Sequence, residues 1–500
     1  MSTLKLDPTK TYQTIDGFGF FGAYDVWWND PKHDTPETKE WIDYILLDLG
    51  ITMWRNEPYP HLPFASDNAT NEQNSTWEKQ KPFVKLLHDR ARELNIPLKI
   101  ILSIWSPPGQ WKFNNNSRNI SRSTELLCTK HARKRALFDE KNSLKPEHYA
   151  DYGHWLVDVL REYKKIGVNV YAISPQNEPL FDQTYNSSSY SAQSYVDMLN
   201  TIAPIISAAE PNVFIYGAEG MLEQEHDEWT WGVSQRFHHA ILGVNGRNHT
   251  GEAYKPADCD VMRNFIFAHH GYNDGIVATK PELLDNFWKA ERELIGNEHR
   301  LWMTETSSYK HVWREEGALG GLDLAAAIQS ALIHGNISAW VYWQGHEATK
   351  KETWMYSLFN IPNQWPRYNY NAAKHFYKYI RPGAVRIGAE IVAIPVSHDT
   401  GGVETPNVST AFSATASVDV KRNCYTGGEK LTVSAFAHEQ YGDTIVIVNT
   451  GADAHEVKIE CGKSYRQFIS EGEIDDTHKE GEAVCGYVSV PPYSVVTLIE

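Results

Sequence analysis

Over residues 16–383, short apolar runs alternate with longer stretches in which apolar residues recur every three or four positions. The run at 18–24 precedes 36–49, where Trp41, Ile42, Ile45, Leu46 and Leu49 fall at helical spacing. A strand at 51–55 precedes a helix near 77–94, and a strand at 98–105 precedes a long polar loop and a helix near 147–166. The strand 170–176 leads to a helix near 191–209. Strands at 213–216, 265–269, 301–304 and 339–343 follow, with helices near 283–294, 324–334 and 372–379 among or after them. The helix between the fifth and sixth strands is the least marked. Eight short strands with helical connections predict an α/β protein built on a (β/α)8 barrel.

After "RPGAVRI" the pattern becomes strand and turn only, in "LTVSAFAH", "TIVIVNT" and "YVSVPPYSVVTLIE". That predicts a small antiparallel β-sandwich. The opening "TLKLDPTKTYQTIDG" is also strand-like and is expected to cross over and pair with it. The expected division is a barrel over 16–383 and a side β-sandwich domain from 1–15 and 384–500.

Composition narrows the function classes. A formal net charge of −16 argues against nucleic acid, which is gripped by clustered Lys and Arg. No apolar run reaches 18 residues, so no membrane span is expected. There is no CxxC, HExxH or P-loop, and we expect no catalytic metal and no cofactor. Cys461 and Cys485 lie in the C-terminal all-β stretch and pair if the compartment is oxidising. "MSTLKLDPTK" is not a leader, so the chain is either cytosolic or a secreted or periplasmic protein whose leader has been removed. The 17 Trp and 26 Tyr fit either a large aromatic core or stacking against sugar rings.

In such a barrel the chemistry gathers where the strands end at their C-terminal side. Strand 4 ends in "ISPQNEP", on Asn177 and Glu178; strand 7, "RLWMTETSSY", ends on Glu305. Ends of strands 4 and 7 face each other across an eight-stranded mouth. Two carboxylates flanking a shared space are what glycosidic cleavage needs, one to protonate the leaving oxygen and one to attack or to activate water. A helix-capping role is the plainer reading for either Glu alone. Strand 2 ends on Arg55, which needs an anionic partner if buried. The other strands end on or lead to Trp105 and Trp111, His270 and Tyr272, Trp343, and Asp25 with Trp27 and Trp28, together a rim of tryptophans and polar groups suited to a sugar. Glu219, in "YGAEGMLEQEHDEW", also lies near a strand end, but the acidic, polar chain after it assigns it to a solvated loop.

"QTIDGFG", "WSPPGQWKFN", "PQNEP", "HHGY", "TET", "RPGAVRI" and "VPPYSVVTLIE" together resemble glycoside hydrolase family 30, the glucosylceramidase-like members of clan A, over nearly the whole chain. That resemblance implies a retaining β-glycoside hydrolase acting through a covalent glycosyl-enzyme, with Glu178 as acid/base and Glu305 as nucleophile. It implies that Asn177 holds the sugar 2-hydroxyl, that Tyr272 and Arg55 support the nucleophile, and that Trp105 and Trp343 shape the glycone pocket. Asp25 would contact outer hydroxyls. Members that read a glucuronic acid branch use basic residues after strand 8; "GHEATKKETW" lacks their arginine pattern, which disfavours glucuronoxylan. The substrate is expected to be a β-linked gluco-, galacto-, fuco- or xylo-configured glycoside or oligosaccharide. The alternatives are a non-catalytic carbohydrate-binding protein on a degenerate barrel and an endo-acting β-glycanase of another clan A family.

Overall fold

The computed structural model describes residues 2–22, 35–58, 71–119, 140–179, 185–222, 233–244, 252–272, 281–307, 309–315, 319–347, 357–360, 368–393, 430–460, 462–472, 479–481 and 483–500. After the N-terminal strand β1 (Ser2–Thr14), eight strands close a parallel barrel: β2 (Gly17–Phe21), β3 (Met53–Asn56), β4 (Lys99–Ser103), β5 (Val170–Ser174), β6 (Phe214–Leu222), β7 (Phe265–Tyr272), β8 (Leu301–Ser307) and β9 (Ala339–Tyr342). Parallel pairing runs round the ring and closes with Gly17 opposite Ala339. The lumen is filled by Met53, Ile101, Tyr216, Ile266, Trp302 and Val341, so the barrel is a packed core and only its mouth can hold a ligand.

Helices cover the barrel through their apolar faces. Pro36–Asp43 starts at Thr35, whose side chain accepts from the Thr38 amide, and runs into a π-helical turn, Tyr44–Leu49. Gly50 ends that turn at φ +81, where a β-carbon would come within 2.5 Å of the Lys378 Cα. Asn71–Glu93, Tyr149–Lys165, Ala192–Ala209, Pro281–Ile295, Gly321–His334 and Tyr368–Tyr377 lie within a few residues of their expected positions. Among the described residues, the weakly marked connection between the fifth and sixth barrel strands holds the helix Val233–Leu242 and the short Cys259–Met262.

A short parallel pair, β10 (His346–Glu347) and β11 (Phe359–Asn360), follows the barrel. Both chain ends then meet in one large sheet. β1 pairs antiparallel with β12 (Val385–Ala393), from Ser2 opposite Ala393 to Thr14 opposite Val385, and parallel with β15 (His455–Ile459). That parallel pair departs from the all-antiparallel expectation. β13 (Leu431–His438), β14 (Gly442–Asn449), β20 (Ser494–Ile499) and β16 (Ser464–Ser470) extend the sheet on the β12 side, with β17 (Lys479–Glu480) and β18 (Val484–Cys485) on β16; β19 (Tyr487–Val490) extends it beyond β15. Leu4, Ile387, Ile445, Val457, Val488, Val496 and Leu498 come from both wings into one core, so the sheet folds over itself like a sandwich. Its other face buries Phe436, Val446, Val448 and Val495 against the barrel's helices. Polar pins fix that contact: Gln329 Nε2 donates to the Val446 carbonyl, and the His375 ring bridges Thr497 and Ser470. Cys485 is an exposed free thiol; Cys461 lies outside the described residues.

Candidate active site

Beyond Ser174 the chain leaves the β5 ladder, yet the next residues are pinned. The Tyr152 hydroxyl donates to the Pro175 carbonyl at 2.5 Å, and Gln176 Nε2 donates to the carbonyls of Trp105 and Asn177, each at 2.8 Å. The Asn177 amide donates to the Ile104 carbonyl at 2.7 Å. Glu178 takes a left-handed backbone, φ +44, which is uncommon for a residue with a β-carbon and is held here by these neighbours.

Two register irregularities at the same end of the barrel aim further side chains. Between β6 and β7 the pairing passes from Ala218/Ala268 to Gly220/His269 and skips Glu219. Between β7 and β8 it passes from His269/Met303 to His270/Glu305 and skips Thr304. A bulged residue breaks the two-residue alternation and turns a side chain that pattern alone would place elsewhere. His270 thereby stands beside Glu305.

Arg55, wholly buried, is the hub. Its Nη1 donates to Glu305 Oε2 at 2.5 Å; its Nη2 contacts Asn177 Oδ1 at 2.8 Å, Glu219 Oε1 at 3.0 Å and Ser103 Oγ at 3.1 Å. The expected anionic partner is present twice over. His270 Nδ1 meets Glu178 Oε1 at 2.9 Å and lies 3.8 Å from Glu305 Oε2, while its Nε2 meets Glu219 Oε1 at 3.1 Å. One carboxylate oxygen of Glu178, one of Glu305 and a His270 ring nitrogen all lie within 4.8 Å of one another. Above Arg55 sit aromatic rings. Its guanidinium lies 4.9 Å from the Trp105 ring centroid and 5.8 Å from that of Phe21, and Phe21 packs against Trp343 at 4.3 Å.

The electrostatics follow from burial and these contacts. Burial pushes the Glu178 carboxyl up, and the charge of Glu305 adds to it against the opposing hydrogen bond from His270. Burial would push Glu219 up as well, but Arg55, with His270 and Ser103, holds it down at about 2. Burial pulls His270 down, yet the charges of Glu305 and Glu219 and its bonds to Glu178 and Glu219 raise it to about 9.

Glu178, Glu305, Asn177, Arg55, His270, Trp105 and Trp343 are thus brought together. Trp105 is buried and supports the floor beneath the mouth; Trp343 is half-buried. Trp111 stacks on His148. Tyr272 ends β7 opposite Ser307, and its side chain, like Asp25, Trp27 and Trp28, lies outside the described residues. The solvated-loop assignment of Glu219 is wrong: it lies inside β6, wholly buried, and bonds Arg55, His270 and Ser103. The signal that could have found it was Arg55, whose fan of donors needs more than one carboxylate when buried. Tyr185 was also missed. As a whole the residue is 45% exposed, while desolvation of its phenol, with the charges of Glu178, Glu305 and Glu57, holds that group well above the ordinary value.

No protein-family model matches the chain. In sequence it is 24% identical over 267 residues to "Glucuronoxylanase XynC" of Bacillus subtilis (strain 168), a match spanning 49% of this chain and 48% of that one. The chain thus spans about half the length of the curated relatives it matches. In structure it superposes on the catalytic domain of GH30 xylanase C from Talaromyces cellulolyticus with a TM-score of 0.65 and 17% identity, covering 99% of both chains. The endo-beta1,6-glucanase BT3312 gives 0.62 and 17%, over 99% of this chain and 94% of that one. Among the described residues no helix is long and apolar enough to cross a membrane. The resemblance to glycoside hydrolase family 30 therefore holds in fold over nearly the whole chain and in sequence over half of it.

Proposed function

We propose that this protein hydrolyses a β-glycosidic bond with retention of anomeric configuration, Glu178 serving as acid/base and Glu305 as nucleophile. The observation that carries the proposal is the approach of the two carboxylates, oxygen to oxygen within 4.8 Å. Retaining enzymes hold their carboxyl groups about 5 to 5.5 Å apart, whereas inverting ones leave roughly 6.5 to 9.5 Å for a water. Glu178, raised by burial, carries the proton to the glycosidic oxygen as that bond breaks. Glu305, one oxygen fixed by Arg55, attacks the anomeric carbon and forms an ester to it while the aglycone leaves as an alcohol. Glu178, now a carboxylate, takes a proton from water; the hydroxide adds to the anomeric carbon and Glu305 is released. On this reading Asn177, anchored on Arg55, would meet the sugar 2-hydroxyl, and Trp343 with Phe21 would give the ring an apolar face.

The substrate we propose is a carbohydrate, a β-linked gluco-, galacto-, fuco- or xylo-configured glycoside or oligosaccharide. The relative in Bacillus subtilis is named for glucuronoxylan, but "GHEATKKETW" lacks the arginine pattern that would read the glucuronic acid branch. A panel of aryl β-glycosides, oligosaccharides and glucuronoxylan, followed by proton NMR of the first-formed sugar, tests the reading. The β-anomer should appear first from a β-glycoside. First release of the α-anomer would defeat the mechanism, and binding without turnover across the panel would favour a carbohydrate-binding protein.

A further inference from the structure

On β7, His270 turns into the barrel mouth and its neighbour His269 turns outward, because successive side chains of a strand point to opposite faces. Behind the strand, His269 meets His238 of Val233–Leu242 and Glu291 of Pro281–Ile295. All three side chains are wholly buried. His238 Nδ1 contacts Glu291 Oε1, and His269 Nε2 lies 3.1 Å from the same oxygen. The two imidazole rings are 4.5 Å apart. The walls are apolar: Phe267 packs edge-on to His238, and Phe287 and Trp288 pack edge-on to His269.

A hydrogen-bonded His-Glu-His triad is the plainer account, and only half of it is well made: His238 Nδ1 hydrogen-bonds Glu291 Oε1, whereas the His269 side is poorly aligned. His269 Nε2 lies 3.1 Å from Glu291 Oε1 but is poorly aligned for a hydrogen bond, and the other side of the ring approaches the Gly220 backbone. Glu291 Oε2 and His238 Nε2 are also buried without a partner. A fully buried carboxylate with one oxygen unpaired is costly. We infer that His238 Nδ1, His269 Nε2 and both oxygens of Glu291 form a structural site for a divalent transition-metal cation of the zinc class. Two imidazoles and a carboxylate are borderline nitrogen and oxygen donors, the set such ions take. Bonds of about 2.0 to 2.1 Å put donor atoms of different residues about 3.3 Å apart around a tetrahedral cation; His269 Nε2 and Glu291 Oε1 stand at 3.1 Å, and His238 Nδ1, hydrogen-bonded to that oxygen, would draw back to admit the ion. A bidentate Glu291 employs its unpartnered Oε2. The cation would clip two outer helices to β7 one residue before His270, and so would steady that ring from behind. Closed off from solvent, the site would do no chemistry on substrate.

The test uses the full chain without a histidine tag, expressed with zinc, gel-filtered and analysed for metal by mass spectrometry. We expect about one equivalent of tightly held zinc per chain, and a melting temperature that falls by about 2 °C or more on chelation and recovers with zinc chloride. Cobalt(II) in its place should give d–d absorption bands, and X-ray absorption should show nitrogen and oxygen donors at about 2.0 to 2.1 Å. Glu291→Gln and His238→Gln, if folded by circular dichroism, should lose the metal. A parent chain that carries no metal and shows no thermal response to zinc or cobalt would overturn the site. So would sulfur or water-only coordination, or folded variants that keep the full equivalent.

Discussion

Glu219 Oε1 lies 3.0 Å from Arg55 Nη2, and both side chains are entirely removed from solvent. A buried guanidinium is tolerated only while its charge is matched, and Glu219 shares that duty with Glu305. Replacing Glu219 with Ala leaves Arg55 one carboxylate short and frees His270 at Nε2. We expect a stability loss of about 3 kcal/mol in denaturant melts and a fall in kcat/KM of about 10²-fold through misplacement of Glu305. If both quantities stayed at parental values, Glu219 would have no positioning role.

The same network sets a pH window for stability. His270 titrates at about 9 in the fold and near 6.5 in an unfolded chain. Its contribution is therefore complete below about 6.5 and is lost as pH rises through 9. Glu219, held at about 2, contributes above its unfolded value of roughly 4.3 and loses that contribution as pH falls through 2. Melting temperature against pH should decline between 6.5 and 9, and His270→Gln should flatten that decline. A parent curve level across that interval would count against a protonated His270.

The proposed acid/base Glu178 and nucleophile Glu305 should be coupled in titration. Glu178 is raised first by burial and then by the charge of Glu305. In Glu305→Gln that charge is gone, so the Glu178 pKa should fall while staying above the ordinary carboxylate value, because burial remains. Carbon-13 NMR of the glutamate carboxyls would read this directly. A Glu178 value unmoved or raised in the variant would mean the two carboxylates do not sense each other. In the parent, activity should be bell-shaped in pH, its alkaline limb marking loss of the Glu178 proton.

Tyr185 is partly exposed, and its phenol senses the charges of both carboxylates. Stacking on a sugar beyond the scissile bond should raise affinity without touching the chemistry. We expect Tyr185→Ala to raise KM about 10-fold with kcat nearly held, and Tyr185→Phe to retain most of the parent's affinity. Equal losses of kcat in both variants would point instead to a role for the hydroxyl.

We propose that the chain divides after residue 15 and before 384, β1 belonging to the side domain. Ser2–Thr14 pairs on one side with β12 and on the other with β15. Deleting residues 1–14 should remove a central strand, expose Ile387 and Val457, and lower the melting temperature or abolish soluble expression. A truncated protein as stable as the parent would reduce β1 to an ornament.

Most of the barrel was legible because its strands are short apolar runs set between helices of clear period. The pair Glu178 and Glu305 was legible for the same reason: each ends such a run. Glu219 was not, because the expected strand stopped at Tyr216, where two glycines interrupt the apolar pattern, whereas β6 continues to Leu222. The bulge at Glu219 then turns inward a side chain that alternation could not place. His269 was hidden differently. It sits in "HHGY" beside the residue that drew attention, and its partners His238 and Glu291 come from two helices distant in sequence. Only tertiary packing joins them.

The pairing of β1 with β12 also bears on how the chain is made. Ser2 leaves the ribosome before its partner Ala393, which follows about 390 residues later. At ordinary rates of synthesis that interval is roughly 20 to 80 s. Throughout it, β1 has both backbone edges unpaired, a condition that invites pairing with other chains. Lys5, Asp7 and Lys10 along β1 put charge on that waiting strand. All eight barrel strands are made before β12 appears, so the barrel can close while β1 still waits for its partner.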